Sequence, residues 1–177
     1  VRVGDQMEEV LRVHTAMDRK TRRGLIVERL SRVGIADPDR LQRSYPHELS
    51  GGQRQRAMIA MALLLEPEIL IADEPTTALD VTTQAKILGL IKEIQSTSQM
   101  GVIFITHDFG VVGELADRVA VMQKGELVEV GPAREVLEHP AHPYTQSLIS
   151  AVPRMRLHGT RRDFRNAPTV LATEALQ

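Results

Sequence analysis

Ile69-Leu70-Ile71-Ala72-Asp73-Glu74 is the stretch on which the fold class turns. Its apolar run is preceded by Glu66-Pro67 and closed by two acids, too short for a helix and suited to a buried strand. The same texture recurs at Val102-Ile103-Phe104-Ile105 and at Val119-Ala120-Val121-Met122. Helical spacing through Ile87, Leu88, Leu90, Ile91 and Ile94 separates the first two runs. A second helical pattern through Val111, Val112, Leu115 and Ala116 separates the next two. Strands alternating with helices predict a parallel sheet of the α/β class. Lys124-Gly125-Glu126 fits a tight turn into Leu127-Val128-Glu129-Val130, so the last strands are expected as a hairpin at the sheet's edge. Helices are expected from about Ala133 to Glu138 and from about Tyr144 to Val152, parted by His139-Pro140-Ala141-His142-Pro143.

Upstream, the chain changes to helix. Met7, Val10, Leu11 and Val13, then Leu25, Ile26, Leu30 and Val33, recur at three- and four-residue steps among charges, which predicts two amphipathic helices. Gly34 suits the end of the second, and Ala36-Asp37-Pro38 reads as a turn that restarts a short helix. From Arg54 to Leu65 the pattern becomes apolar on every face after its first turn, as in a buried helix. The expected organisation is a helical piece over 1–65, an α/β core over 66–153, and a linker or tail over 154–177.

Composition narrows the function classes. The 177 residues carry a formal charge of −1, which supplies no basic field of the kind that dominates nucleic-acid binding. Nucleic acid is not an expected partner. Cysteine is absent, which excludes disulfides, thiolate metal sites and iron–sulfur clusters. The richest apolar run, Ala57 to Leu65, is about half the ~20 residues of a membrane-spanning helix. Val1-Arg2-Val3-Gly4-Asp5 has neither an initiator Met nor a leader-like apolar core and reads as a cut edge.

Three constellations carry chemistry. Asp73 and Glu74 sit at the carboxyl end of a predicted strand, where open α/β sheets place their ligands. One carboxylate there can hold Mg²⁺ while its neighbour orients or deprotonates a water. Alone, the pair is equally compatible with acids that leave a strand for a loop. Ser50-Gly51-Gly52-Gln53 opens a helix and satisfies a capping box, Ser50 as N-cap and Gln53 reaching back. That leaves the two glycines unexplained, since each costs roughly 1 kcal/mol against alanine; bare amides at a helix start suit an anion such as phosphate. Thr106-His107-Asp108 follows the second strand and shares the rim of Asp73 and Glu74. A histidine there can meet a terminal phosphate or the attacking water, or simply begin a helix.

Leu49-Ser50-Gly51-Gly52-Gln53 resembles the signature motif of the ABC transporter ATP-binding domain, and Ile69 to Glu74 resembles its Walker B strand. Ala78-Leu79-Asp80 is similar to the D-loop, and Thr106-His107-Asp108 to the switch-histidine loop. The resemblance runs from Gly4 to about Pro153. Arg43-Ser44-Tyr45-Pro46-His47-Glu48, the segment Glu74 to Thr82, and His142-Pro143-Tyr144-Thr145 resemble the oligopeptide, dipeptide and nickel importer subfamily. This implies a P-loop NTPase-type, RecA-like core, incomplete, with a helical signature subdomain at its amino-terminal end. It implies an ATPase subunit at the cytoplasmic face of the membrane, peripheral, powering uptake of peptides or similar solutes.

The resemblance implies roles residue by residue. Asp73 would bind Mg²⁺, Glu74 would polarise the hydrolytic water, and His107 would sense the γ-phosphate of ATP. Ser50, Gly51 and Gly52 would contact ATP held by a second cassette, with Leu49 and Gln53 in support, and Asp80 would couple the two sites. Partners would be that second cassette, permease subunits meeting residues 1–43, and, indirectly, a solute-binding protein. One departure stands out: the chain contains no G-x-x-x-x-G-K-[ST] and no Gly-Lys pair. The expectation is a fragment cut before its Walker A loop, with slight nucleotide affinity of its own. The alternatives are a non-catalytic interaction module and a non-transport ABC ATPase.

Other signals have plainer readings. His139 and His142 lack a third ligand and are parted by Pro140, which suits a structural role. Arg54 and Arg56 flank the signature and are expected in ion pairs. Arg154, Arg156, Arg161, Arg162 and Arg165 make a basic linker, and Thr169 to Leu176 resembles the opening strand of another cassette.

Overall fold

The computed structural model describes residues 1–77, 79–98, 100–151 and, as a strand backbone, 169–173. Two compact units emerge: residues 1–68 with 76–98, and residues 69–75 with 99–177. Residues 66–68 and 76–98, expected within the α/β core, thus belong to the helical unit.

The first unit is built from α1 (Val3–His14), α2 (Arg19–Arg32), α3 (Pro38–Arg43), a 3₁₀ turn (Pro46–Glu48), α4 (Gly51–Ala62) and α5 (Val81–Ser98). The apolar stripes read from the sequence meet: Met7 and Leu11 of α1, Ile26 and Leu30 of α2, and Leu41 of α3 are all buried. Asp18 caps α2 by accepting from the Thr21 amide at 2.8 Å, and Asp37 caps α3 by accepting from Arg40 at 2.9 Å. Gly4 lets α1 approach α3, since a Cβ there would lie 2.7 Å from the Gln42 carbonyl oxygen. α4 departs from the sequence expectation. Ala57, Ile59 and Ala60 are buried, but Met58 is 57% exposed, because α2 and α5 cover only part of its circumference. Arg54 donates to the Pro46 carbonyl at 3.2 Å and Arg56 to that of Val33, so among the described residues both arginines brace backbone rather than form ion pairs.

The second unit contains β1 (Ile69–Asp73), β2 (Gly101–Thr106), α6 (Phe109–Leu115), β3 (Arg118–Gln123), β4 (Glu126–Pro132), α7 (Ala133–Glu138), α8 (Pro143–Ala151) and β5 (Thr169–Thr173). Its sheet has the order β1-β2-β5-β3-β4. β1, β2, β5 and β3 run parallel, and β4 returns antiparallel through the Lys124-Gly125 turn as the predicted edge hairpin. Both residues of that turn have positive φ, 51° and 83°. Phe104, Val119 and Val121 form the interior with Val111 and Val112 of α6.

Two expectations are corrected here. β1 is not a buried strand: it lies at the sheet's edge, and Ile69 and Ile71 are 60% and 64% exposed because they share a face that the described residues leave open. Residues 169–173, expected as the opening strand of another cassette beyond a linker, form a parallel strand inside this sheet, in the position that the β2-to-β3 crossover skips. The arginine-rich segment 154–165 and residues 174–176 lie outside the described residues.

Glu129 of β4 organises the proline-rich connection. Its carboxylate accepts from the amides of Ala141 at 2.8 Å and His142 at 3.1 Å, fixing the approach to α8. The ring Nδ1 of His142 in turn accepts from the Tyr144 amide at 3.2 Å, a structural use of the histidine. Desolvation raises the Glu129 pKa, but Thr145 and the two amides outweigh it and the net shift is downward. A carboxyl held below its unfolded value stabilises the fold above that value, roughly pH 4, and loses the contribution as pH falls through the folded value. Glu129→Gln should therefore lower the melting temperature at neutral pH and flatten its decline on acidification. Superimposable profiles for the two proteins would show that Glu129 does not clamp the connection.

Candidate functional site

β1 and β2 run parallel in register, Ala72 beside Phe104 and Asp73 beside Ile105, so their carboxyl ends form one rim. The Glu74 amide donates to the Ile105 carbonyl at 2.9 Å, which carries the ladder one residue past β1. There the chain turns sharply. Glu74 has φ of 43°, in the left-handed region that glycine tolerates and a glutamate occupies at a cost of roughly 1–3 kcal/mol. The turn separates the two acids: Asp73 ends the strand exposed, whereas Glu74 is half-buried and directed across to the neighbouring strand end.

What Glu74 meets there is His107. Its Oε1 lies 2.8 Å from the ring Nδ1. His107 is held from both sides: the Thr106 hydroxyl accepts from the Asp108 amide at 3.0 Å, and Asp108 caps α6 by accepting from Gly110 at 2.9 Å. With Glu74 ionised, the Nδ1 proton belongs in that bond and Nε2 is the nitrogen left for a ligand. The histidine side chain is 64% exposed, so Nε2 can reach a molecule on the rim. A carboxylate on a strained backbone, paired with an accessible imidazole, can hold, orient and deprotonate a water.

The other predicted residues belong to the first unit. Ser50 and Gln53 make the expected capping box: the Gln53 amide donates to the Ser50 hydroxyl at 3.3 Å and the Gln53 side chain accepts from the Ser50 amide at 3.2 Å. Among the described residues nothing accepts from the amides of Gly51 and Gly52. The glycines nonetheless have a packing reason that sequence reasoning missed. A Cβ at Gly51 would lie 3.2 Å from Leu79 Cδ2, and one at Gly52 would lie 2.8 Å from Thr83 Cγ2. Asp80 caps α5, its carboxylate accepting from the Thr83 amide at 3.0 Å and the Thr83 hydroxyl at 2.7 Å. Those two bonds hold the Asp80 pKa below the ordinary aspartate value. The spacing Asp80-x-x-Thr83 before a helical pattern is a cap signal that could have been read from sequence. Ala78, between the two constellations in sequence, lies outside the described residues.

As to cofactors, a lone carboxylate such as Asp73 suits Mg²⁺, which keeps several waters and takes one or two protein acids. The described residues hold no cluster of three or more acids, histidines or cysteines that could cage a metal by themselves.

Residues 2–77 match the ABC transporter family, and residues 128–174 match the oligopeptide/dipeptide transporter C-terminal region. Dipeptide transport ATP-binding protein DppD of Bacillus subtilis (strain 168) is 55% identical over 157 residues, 89% of this chain and 47% of that protein. The glutathione import ATP-binding protein GsiA of Salmonella typhi is 50% identical over 175 residues, 97% of this chain and 28% of that protein. The chain thus spans about half the length of the first of these relatives and less of the second. Among solved structures, the dimeric bacterial ABC transporter cassette MJ0796 matches with a TM-score of 0.65 at 32% identity, covering 76% of this chain and 57% of that one. The cbiO1 protein of Clostridium perfringens, part of the cbiONQ transporter complex, matches with a TM-score of 0.67 at 32% identity over 78% and 54%.

Proposed function

The chain belongs to the ABC transporter ATP-binding family, with an oligopeptide/dipeptide transporter C-terminal region, and from that premise we propose that it serves as part of the ATPase of an importer for peptides or similar small solutes. The observation that carries this reading is the Glu74–His107 pair at 2.8 Å, built on a left-handed glutamate at the carboxyl rim of a parallel sheet. Relatives described as serving dipeptide transport and glutathione import support the solute class.

In this reading Glu74 accepts the proton of the attacking water, and His107, oriented by Glu74, presents Nε2 to the terminal phosphate. Asp73 would hold Mg²⁺, which when bound offsets charge on the phosphate oxygens. Ser50, Gly51 and Gly52 would face the γ-phosphate of ATP on a second cassette, with Gln53 fixing their helix start and Asp80 serving the junction. The dimeric neighbour supports that arrangement. Permease subunits would receive the work. No helix among the described residues is long and apolar enough to cross a membrane, and a peripheral position at the cytoplasmic face follows from the proposed role.

The 177 residues lack the backbone nest and lysine that cradle the β and γ phosphates. A protein carrying these residues together with a G-x-x-x-x-G-K-[ST] loop should bind MgATP in the micromolar range and turn it over. The chain alone should do neither, as read by equilibrium titration and phosphate release. Absence of turnover in the loop-bearing protein sinks the ATPase reading, and tight binding by the chain alone refutes the assigned dependence on that loop.

A further inference from the structure

We infer that Thr83 is a positioning residue that locks the glycine-opened start of α4 to the Asp80 carboxylate, so that neither can shift without the other. Its hydroxyl and methyl contacts come from one rotamer, and its backbone amide adds a third contact. The hydroxyl donates to one Asp80 oxygen at 2.7 Å, the amide donates to the other at 3.0 Å, and the methyl faces the bare Cα of Gly52. Threonine is branched at Cβ, so moving the methyl means rotating χ1 and withdrawing the hydroxyl from Asp80. A Cβ at Gly52 would approach that methyl to 2.8 Å, inside ordinary contact distance, and would force that rotation. Leu79 closes the other side, its Cδ2 standing 3.2 Å from a Cβ built on Gly51. Gly52 is thus required by this neighbour, independently of any ligand at its amide.

The functional consequence rests on the reading above: if the α4 start meets nucleotide and Asp80 serves the junction, Thr83 transmits displacement between them within one chain. No ligand need be assumed to test the lock. In the chain itself, Gly52→Ala should move the Asp80 titration, followed by carboxyl NMR, upward toward the ordinary aspartate range, because Thr83 leaves its cap. Thr83→Ser removes only the methyl and keeps the hydroxyl, so Gly52→Ala with Thr83→Ser should restore the low titration. An Asp80 titration unmoved by Gly52→Ala, or unmoved by the added serine, overturns the lock. In a loop-bearing protein, Gly52→Ala should lower kcat with KM little changed, and Thr83→Ser should recover most of the loss. Rescue of the Asp80 titration without rescue of turnover would leave the lock standing and refute its place in ATP hydrolysis.

Discussion

Glu74→Gln, placed in a protein that also carries a phosphate loop, is expected to cut steady-state ATP turnover by a factor on the order of 10²–10⁴, the range of a lost general base. Glutamine is nearly isosteric and keeps an oxygen that can accept from His107 Nδ1, so the 2.8 Å contact and the turn at φ 43° can persist. What disappears is the capacity to take a proton. Nucleotide binding and nucleotide-driven dimer closure should survive, because those depend on donors to phosphate rather than on this carboxylate. The separation is measurable: phosphate release falls while ATP-dependent dimer, followed by light scattering, accumulates. Turnover within about threefold of the unaltered protein would remove Glu74 from proton transfer, since the smallest expected effect is ~10²-fold. His107→Ala supplies the companion case. It deletes the imidazole oriented by Glu74, and a comparable loss in both variants, with no further loss in the double variant, marks two residues acting as one unit.

Much of this site is legible in the sequence. Apolar runs closed by polar residues, separated by helical spacing, suffice for a parallel sheet whose carboxyl rim holds Asp73, Glu74 and His107, because strand direction alone decides which end is the rim. The caps were legible for the same local reason: Ser50 with Gln53 is a relation within one turn. Long-range relations were not. The left-handed backbone of Glu74 follows from where β2 lies, and the approach of Thr83 to Gly52 joins residues 31 positions apart. Exposure of Ile69 and Ile71 was hidden as well, because an apolar run shows that a strand wants covering without showing what covers it. A strand near 169–173 is legible through the resemblance of Thr169 to Leu176 to an opening strand, but its place in this sheet is not, because its partners β2 and β3 are far away in sequence.

Phe104→Ala is the change expected to damage the second unit most. Phe104 is 2% exposed in the middle of β2 and pairs in register with Ala72, so a small residue on β1 lies beside the ring. Truncation removes the transfer free energy of the ring and leaves a cavity that flanking strands cannot close without breaking their ladders. Phe-to-Ala changes at such positions cost about 3–5 kcal/mol, a large share of the 5–15 kcal/mol that domains possess. The readout should be local, because the unit of opening is the sheet: amide exchange in β2 and β3 should accelerate by roughly 10²–10⁴-fold if it tracks that loss. Leu127→Ala is the matched control, since Leu127 is 59% exposed on the edge strand and surface changes of this kind stay within about 0.5 kcal/mol. Equal exchange in the two variants would show that Phe104 does not hold the sheet. The consequence reaches the site because β2 is continuous from Phe104 to Thr106, whose hydroxyl accepts from the Asp108 amide and so fixes the loop bearing His107. A loosened β2 should therefore lengthen the Glu74–His107 contact, visible as exchange broadening of the His107 ring resonances.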